Sequence, residues 1–218
     1  MITFKEIKEN EAIKTYIIQA DNTLSALGYT EHSLAHVARV ASVAKYILET
    51  LSYPKEDVEL AQIACYMHDI GNIVNREEHA QSGAVMAFRI LDQLGATPEE
   101  NAKIIAAIGN HDEGTAVPVS AIAAALILAD KTDVRRSRVR NLDLPSFDIH
   151  DRVNYAVGES KVEIIDNKIF QLKLTIDTRI SPVMDYFEIF LDRMLLCKRA
   201  AHKLELEFEL IINNQKVL

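Results

Sequence analysis

Six side chains in this sequence have types and spacing that could serve one chemistry. His36 lies inside an apolar stripe. His68 and Asp69 are adjacent at the end of an apolar run, in "CYMHDIGN". His79 follows ten residues after Asp69, His111 comes just past a glycine, and Asp130 closes "AIAAALILAD". Imidazole and carboxylate donors together suit Fe, Mn, Zn, Co or Ni. A carboxylate beside so much apolar surface is costly unless something pairs with it, and a metal ion can do so.

Each residue alone has a plainer reading. A histidine on an apolar helix face is commonly a hydrogen-bonded core residue, and a helix-ending aspartate is commonly a cap or a surface group. The series is more specific. Its donors run His, His-Asp, His, His, Asp, each on or just after a separate predicted helix. A helix bundle can converge side chains from several helices on one interior point. Adjacent helical residues project about 100° apart, so His68 and Asp69 can face one centre from two directions or touch two ions. The set contains no thiolate, which excludes a Cys-rich structural zinc site.

The elements that must position these residues are mostly helices. Apolar spacing predicts a helix over residues 4–27 that Gly28 stops, a second capped by Thr30, and a third with Pro54 in its first turn that runs to Gly71. A fourth spans about residues 77–94. "TPEE" starts a fifth as a capping box, and "SAIAAALILADKTD" is a sixth. After residue 140 the pattern changes. "NLDLPSFDI" reads as a loop, residues 150–157 as a short helix, and "SKVEIIDNKIFQLKLTID" as a β-hairpin. A helix from "SPVMDYF" and a final strand, "ELEFELII", complete the chain. The expected organisation is a helical metal-binding domain over residues 1–140. Residues 141–218 then form a small α+β appendage of three antiparallel strands and one helix.

The order and spacing of these motifs resemble the HD-domain superfamily of metal-dependent phosphohydrolases. The resemblance rests on "HVARVA" from His36, "HDIG" from His68, "HAQSGA" from His79, "NHDEG" with His111 and "LADKTD" with Asp130, within residues 30–133. It implies a mostly α HD-type bundle. It further implies that His36, His68, Asp69 and Asp130 bind one metal, and that His79 and His111 add a second, with Asp69 bridging. The second set is similar to that of the HD-type dinucleoside tetraphosphate hydrolases and the HD-GYP phosphodiesterases. Where many relatives have lysine after the glycine, this chain has Asn72. Arg76, one helical turn on, is the expected substitute phosphate contact. The chain lacks the His pair and the Gly-Tyr-Pro of the HD-GYP proteins.

The expected chemistry is hydrolysis of a phosphate ester or anhydride of a nucleotide or other small molecule. A hydroxide held by one or two divalent ions about 3.5–4 Å apart would be the attacking group. In "DKTDVRRSRVR", Lys131, Arg135, Arg136 and Arg138 form a candidate phosphate clamp, since Arg grips phosphate with paired hydrogen bonds. Arg140 reads as a solvated helix-end charge. Arg39 can reach the same anion or hold a structural carboxylate. His32, one turn before His36, is a candidate proton donor or substrate-orienting group. "DIHDRVNYAV" is a polar cluster placed to close over the site.

The net charge of −8 argues against a general nucleic-acid binder. No apolar stretch approaches the length that spans a bilayer, and "MITFKEIKEN" does not read as a signal peptide. Cys65 and Cys197 sit in no motif, as in a reducing cytoplasm. The edges of a small β-layer offer a place for pairing in a homodimer. Two other readings use the same residues: a di-iron oxygenase of the same fold, and a non-catalytic module that a metal stabilises.

Overall fold

Asn10 divides what the periodicity predicts as one helix. The computed structural model describes residues 2–141, 143 and 146–218. In it α1 (Phe4–Glu9) ends at Asn10, whose side chain accepts from the amides of Ala12 and Ile13 and so starts α2 (Glu11–Ala26). A short amide side chain that captures main-chain N–H groups competes with helix continuation. Gly28, at φ +83°, provides the expected left-handed stop.

Ser33 rather than Thr30 caps α3 (Leu34–Thr50), which buries His36 together with Val37, Val40, Ala44 and Ile47. Pro54 precedes α4 (Lys55–Met67) at the cap position. A single 3-10 turn over Ile70–Ile73 then leads toward α5 (His79–Gln93). The Thr97–Glu100 capping box is present, with Pro98 as the first residue of α6 (Pro98–Gly109). The sixth predicted helix is α7 (Ala121–Lys131). It is buried at every position from Ile122 to Lys131, so its sequence can be apolar all round. It packs against α3, α4, α6 and, from the C-terminal part, α9.

Of the expected loop at 141–149, Leu142, Leu144 and Pro145 lie outside the described residues. Beyond it come α8 (Ile149–Ala156), β1 (Val157–Ile165), β2 (Ile169–Ile176), α9 (Val183–Lys203), β3 (Glu207–Ile212) and β4 (Gln215–Lys216). The mostly α class with a small α+β layer holds, but the sheet differs in detail. Among the described residues it has four strands in the order β1-β2-β3-β4, and β2 pairs with β3 in parallel, not antiparallel. The reason is the intervening α9, a crossover long enough to bring the chain back in the same direction. The hairpin turn has Asp166 and Asn167 both at φ +52°. Asn213 and Asn214, at φ +50° and +66°, make a second such turn into β4.

One buried cluster runs through both parts: Leu126 and Leu128 on α7, Met194 and Cys197 on α9 and Leu210 on β3 all belong to it. The outer edge of β1 meets α3, where Arg39 donates to Ser160 O at 3.2 Å and Ile164 N donates to Tyr46 Oη at 3.0 Å.

Candidate metal centre

Five helices and the 3-10 turn deliver the six donors. His36 comes from the first turn of α3, His68 caps the C-terminus of α4 and Asp69 leads into the 3-10 turn. His79 opens α5, His111 follows α6, and Asp130 sits in the last turn of α7. All six are buried. His36 Nε2 lies 3.3 Å from Asp130 Oδ1 and 3.7 Å from Asp69 Oδ2. His68 Nε2 is 3.0 Å from Asp69 Oδ2 and 3.6 Å from Asp130 Oδ1. The other oxygen of Asp69, Oδ1, is 3.6 Å from His79 Nε2 and 4.0 Å from His111 Nε2. Each oxygen of Asp69 thus faces a different pair of imidazoles.

All four rings are fixed by their far nitrogen. Nδ1 of His68, His79 and His111 lies 2.7, 3.0 and 2.6 Å from the main-chain oxygens of Cys65, Arg76 and Ile108. Nδ1 of His36 lies 2.8 Å from Asp133 Oδ2. An oxygen that only accepts requires the hydrogen on Nδ1, so every neutral ring turns an Nε2 lone pair inward. His36 Nε2, His68 Nε2 and Asp69 Oδ2 are buried without a hydrogen-bond partner. Inward lone pairs, two carboxylates and orphaned buried polar atoms fit a cation. Two overlapping groups lie within ligating range, His36–His68–Asp130 and His68–Asp69–His111.

The electrostatics are those of a site built for positive charge. Burial opposes ionisation of Asp69 and Asp130, yet His68 beside the first and Lys131 beside the second hold both well below the ordinary carboxylate range. Burial would lower His68, but Asp69 and Asp130 overcome it and push the imidazole up to about 10 in the metal-free chain. Burial and then the charge of His68 keep His111 well below its usual value.

The sequence model of the family described as HD domain matches residues 33–140. These residues are an HD domain. An uncharacterized protein of Methanocaldococcus jannaschii is 25% identical in an alignment covering 86% of each chain. Ribonuclease Y of Enterococcus faecalis is 30% identical over 122 residues, which cover 55% of this chain and 21% of that protein. The crystal structure of a predicted HD superfamily hydrolase from an uncultured Thermotogales bacterium is 24% identical. It matches with a TM-score of 0.46 over 57% of this chain and 67% of that one.

Within the HD domain, the residues after His68-Asp69 have defined tasks. A Cβ on Gly71 would run into the main-chain oxygen of His79 and the main-chain nitrogen of Gly83. Only glycine lets the 3-10 turn lie directly on α5. Asn72 donates Nδ2 to Asp69 Oδ1 at 3.0 Å and accepts from Arg76 at 3.3 Å. It therefore links a ligand to a cation that lines the cavity.

A cavity of about 560 Å³ opens over the centre, with Asp69, His79, His111 and Asp130 in its wall. His32, Arg76 and Lys131 also line it. Arg39, Arg135 and Arg136 do not. Arg39 and Arg135 pair with Asp133, each at 2.9 Å, and Arg136 donates to Tyr155 O at 2.7 Å while stacking on that ring. Arg140 pairs with Asp21 on the surface. Arg138, from the same basic run, does line the cavity, and so does Arg193, a cation that sequence reasoning left unassigned. Asp133 and Glu113 were also missed. Asp133 had a readable signal, since it falls three residues after Asp130. Glu113, at 3.4 Å from Lys131 and 2.7 Å from Arg193, depends on a contact 80 residues away. From the predicted polar cluster, Asp148, His150, Asp151 and Asn154 line the cavity, opposite Phe190 on α9.

Proposed function

We propose that the chain is a metal-dependent phosphohydrolase acting on a phosphate ester or anhydride of a small molecule, a nucleotide among the candidates. The observation that carries this reading is a set of inward-facing, orphaned donors on His36, His68 and Asp69 beneath a cavity whose wall includes Arg76, Lys131 and Arg138. His36, His68, Asp69 and Asp130 would hold one divalent transition ion; Asp69, His79 and His111 would hold a second. When bound, such ions supply Lewis acidity and lower the pKa of water, which phosphate-ester hydrolysis near neutral pH requires. One relative bears the name of a ribonuclease, which agrees with phosphate-ester chemistry.

The chain's own residues would do the rest. No carboxylate lies within ion-pair distance of Arg76 or Arg138 among the described residues, so both keep charge to offer to phosphoryl oxygens. Lys131, tied to Asp130 at 2.8 Å, steadies that ligand while facing the same space. His32 gives its Nδ1 hydrogen to Thr30 O at 2.7 Å, and burial and then Arg138 keep the ring neutral. It therefore offers an Nε2 lone pair that can accept a hydrogen bond from a substrate hydroxyl. The wall from α8 and α9 carries Asp148, Asp151 and Asp192. Carboxylates there favour a hydroxyl- or amine-bearing organic part over a second phosphate.

Metal-stripped chain reloaded with Mn²⁺ or Co²⁺ should release phosphate or nucleotide from a panel of mono-, di- and triphosphate esters. His68→Ala should abolish turnover. Unchanged turnover in that variant, at unchanged metal content, would reject the reading.

A further inference from the structure

Three of the four inward-facing imidazoles are alike. His68, His79 and His111 each give Nδ1 to the carbonyl three residues earlier, a neutral acceptor supplied by their own local backbone. His36 is the exception. Its partner is the carboxylate of Asp133, 97 residues away and 2% exposed. That carboxylate is itself fixed. Arg39 Nε and Arg135 Nε each lie 2.9 Å from its Oδ1, and Arg135 Nη2 is 3.4 Å from Oδ2. Burial opposes its charge, but His36, Arg138 and Arg135 hold it ionised below the ordinary carboxylate range.

We infer that Asp133 is a positioning residue that makes the His36-containing metal position the tighter of the two, and that Arg39 and Arg135 clamp it for that task. The inference rests on the metal-binding reading above. A carboxylate accepting the Nδ1 hydrogen fixes ring orientation and makes Nε2 a stronger donor; partners of this kind alter metal affinity by about 10–100-fold. A carbonyl fixes the ring as well but contributes less basicity. The asymmetry therefore separates the two positions in affinity. It also gives Arg39 and Arg135 a role that does not require them to face the cavity. Arg39 extends the clamp to β1 through Ser160 O, and Ser160 Oγ donates to Thr132 O at 2.7 Å, beside Asp133. The C-terminal sheet thus braces the outer side of the clamp.

The test is calorimetric titration of metal-stripped full-length chain with Mn²⁺, comparing wild type, Asp133→Asn and Arg39→Gln, with circular dichroism as a check on folding. Asp133→Asn keeps the shape and removes the charge. It is expected to weaken the tighter Mn²⁺ affinity by about 10–100-fold and to leave the weaker one within twofold. Arg39→Gln is expected to weaken the same affinity by a smaller factor, and it decides alone if Asp133→Asn fails to fold. Asp133→Glu should restore part of the loss. A folded Asp133→Asn whose affinities match wild type, even with a lower melting temperature, assigns the pair a packing role only and overturns the inference. So does an equal loss at both positions. A wild-type chain that binds no Mn²⁺ removes the metal-binding reading itself, a different result from unchanged affinities among the variants.

Discussion

His79 Nε2 and His111 Nε2 stand 3.2 Å apart, and each ring already gives its Nδ1 hydrogen to a main-chain oxygen. Two neutral imidazoles held in this way point lone pair at lone pair. A proton or a metal ion between them removes the repulsion, and Asp69 Oδ1 is close enough to both nitrogens to join the same cation. The second ion of the proposed function thus has a physical basis apart from any motif.

Metal loading should release protons and strengthen as pH rises. His68 is pushed up to about 10 in the metal-free chain, so at pH 7 to 8 an incoming ion displaces its proton. Mn²⁺ titrations in buffers of different ionisation enthalpy should report about one proton released per chain at that step. For the metal-free fold the sign is opposite. A raised histidine stabilises fully below its unfolded value, near 6.5, and that contribution is lost as pH climbs through about 10. Chemical denaturation of stripped protein from pH 6 to 10 should therefore show falling stability, absent in His68→Gln.

Asn72→Ala should weaken the centre without touching a ligand. It removes the hydrogen bond to Asp69 Oδ1 and the acceptor for Arg76. The expected loss is about 1–2 kcal/mol of stability and about tenfold in metal affinity, with a raised KM once Arg76 is unanchored. Thermal melts, Mn²⁺ titration and steady-state kinetics each read one of these.

Gly71→Ala should damage one metal position more than the other. The new methyl meets the backbone of α5 at His79 and Gly83, which must move away. Overpacking of this kind destabilises by about 1–3 kcal/mol or more. The stoichiometry of bound Mn²⁺ should fall toward one, because His79 shifts while His36, His68 and Asp130 remain.

Glu113 should govern part of the acid sensitivity. Burial would raise its carboxyl, but Lys131 and Arg193 bring it down to about 2. A depressed acid stabilises above its unfolded value, near 4.5, and that contribution disappears as pH falls through about 2. Glu113→Gln should lower stability at pH 7 by about 2 kcal/mol and flatten the decline between pH 5 and 2 in urea titrations.

Local chemistry explains what was legible in the sequence. The Thr97–Glu100 capping box, the Gly28 stop and the Asp166-Asn167 turn act within a few residues and could be read directly. The six donors were legible as a series because each sits at a helix end or on an apolar stripe. What escaped depends on distant pairing. Arg135 and Arg136 look like a clamp in a row of basic residues, yet Asp133 and Tyr155 O occupy them. The parallel β2–β3 pairing follows from where α9 packs, which strand patterns do not encode. The fourth strand has only a weak local signal, the two asparagines after "ELEFELII", because only two residues follow in pairing.

Part of the cavity wall is built after residue 140, by α8 and α9, whereas all six candidate donors precede it. On the proposed function, reactivity and selectivity are encoded in separate stretches of the sequence. Exchanging side chains such as Asp151, Asn154 or Phe190 could retarget the protein to a new compound while its inorganic machinery stays intact, which makes this last third the natural place to engineer or diversify it.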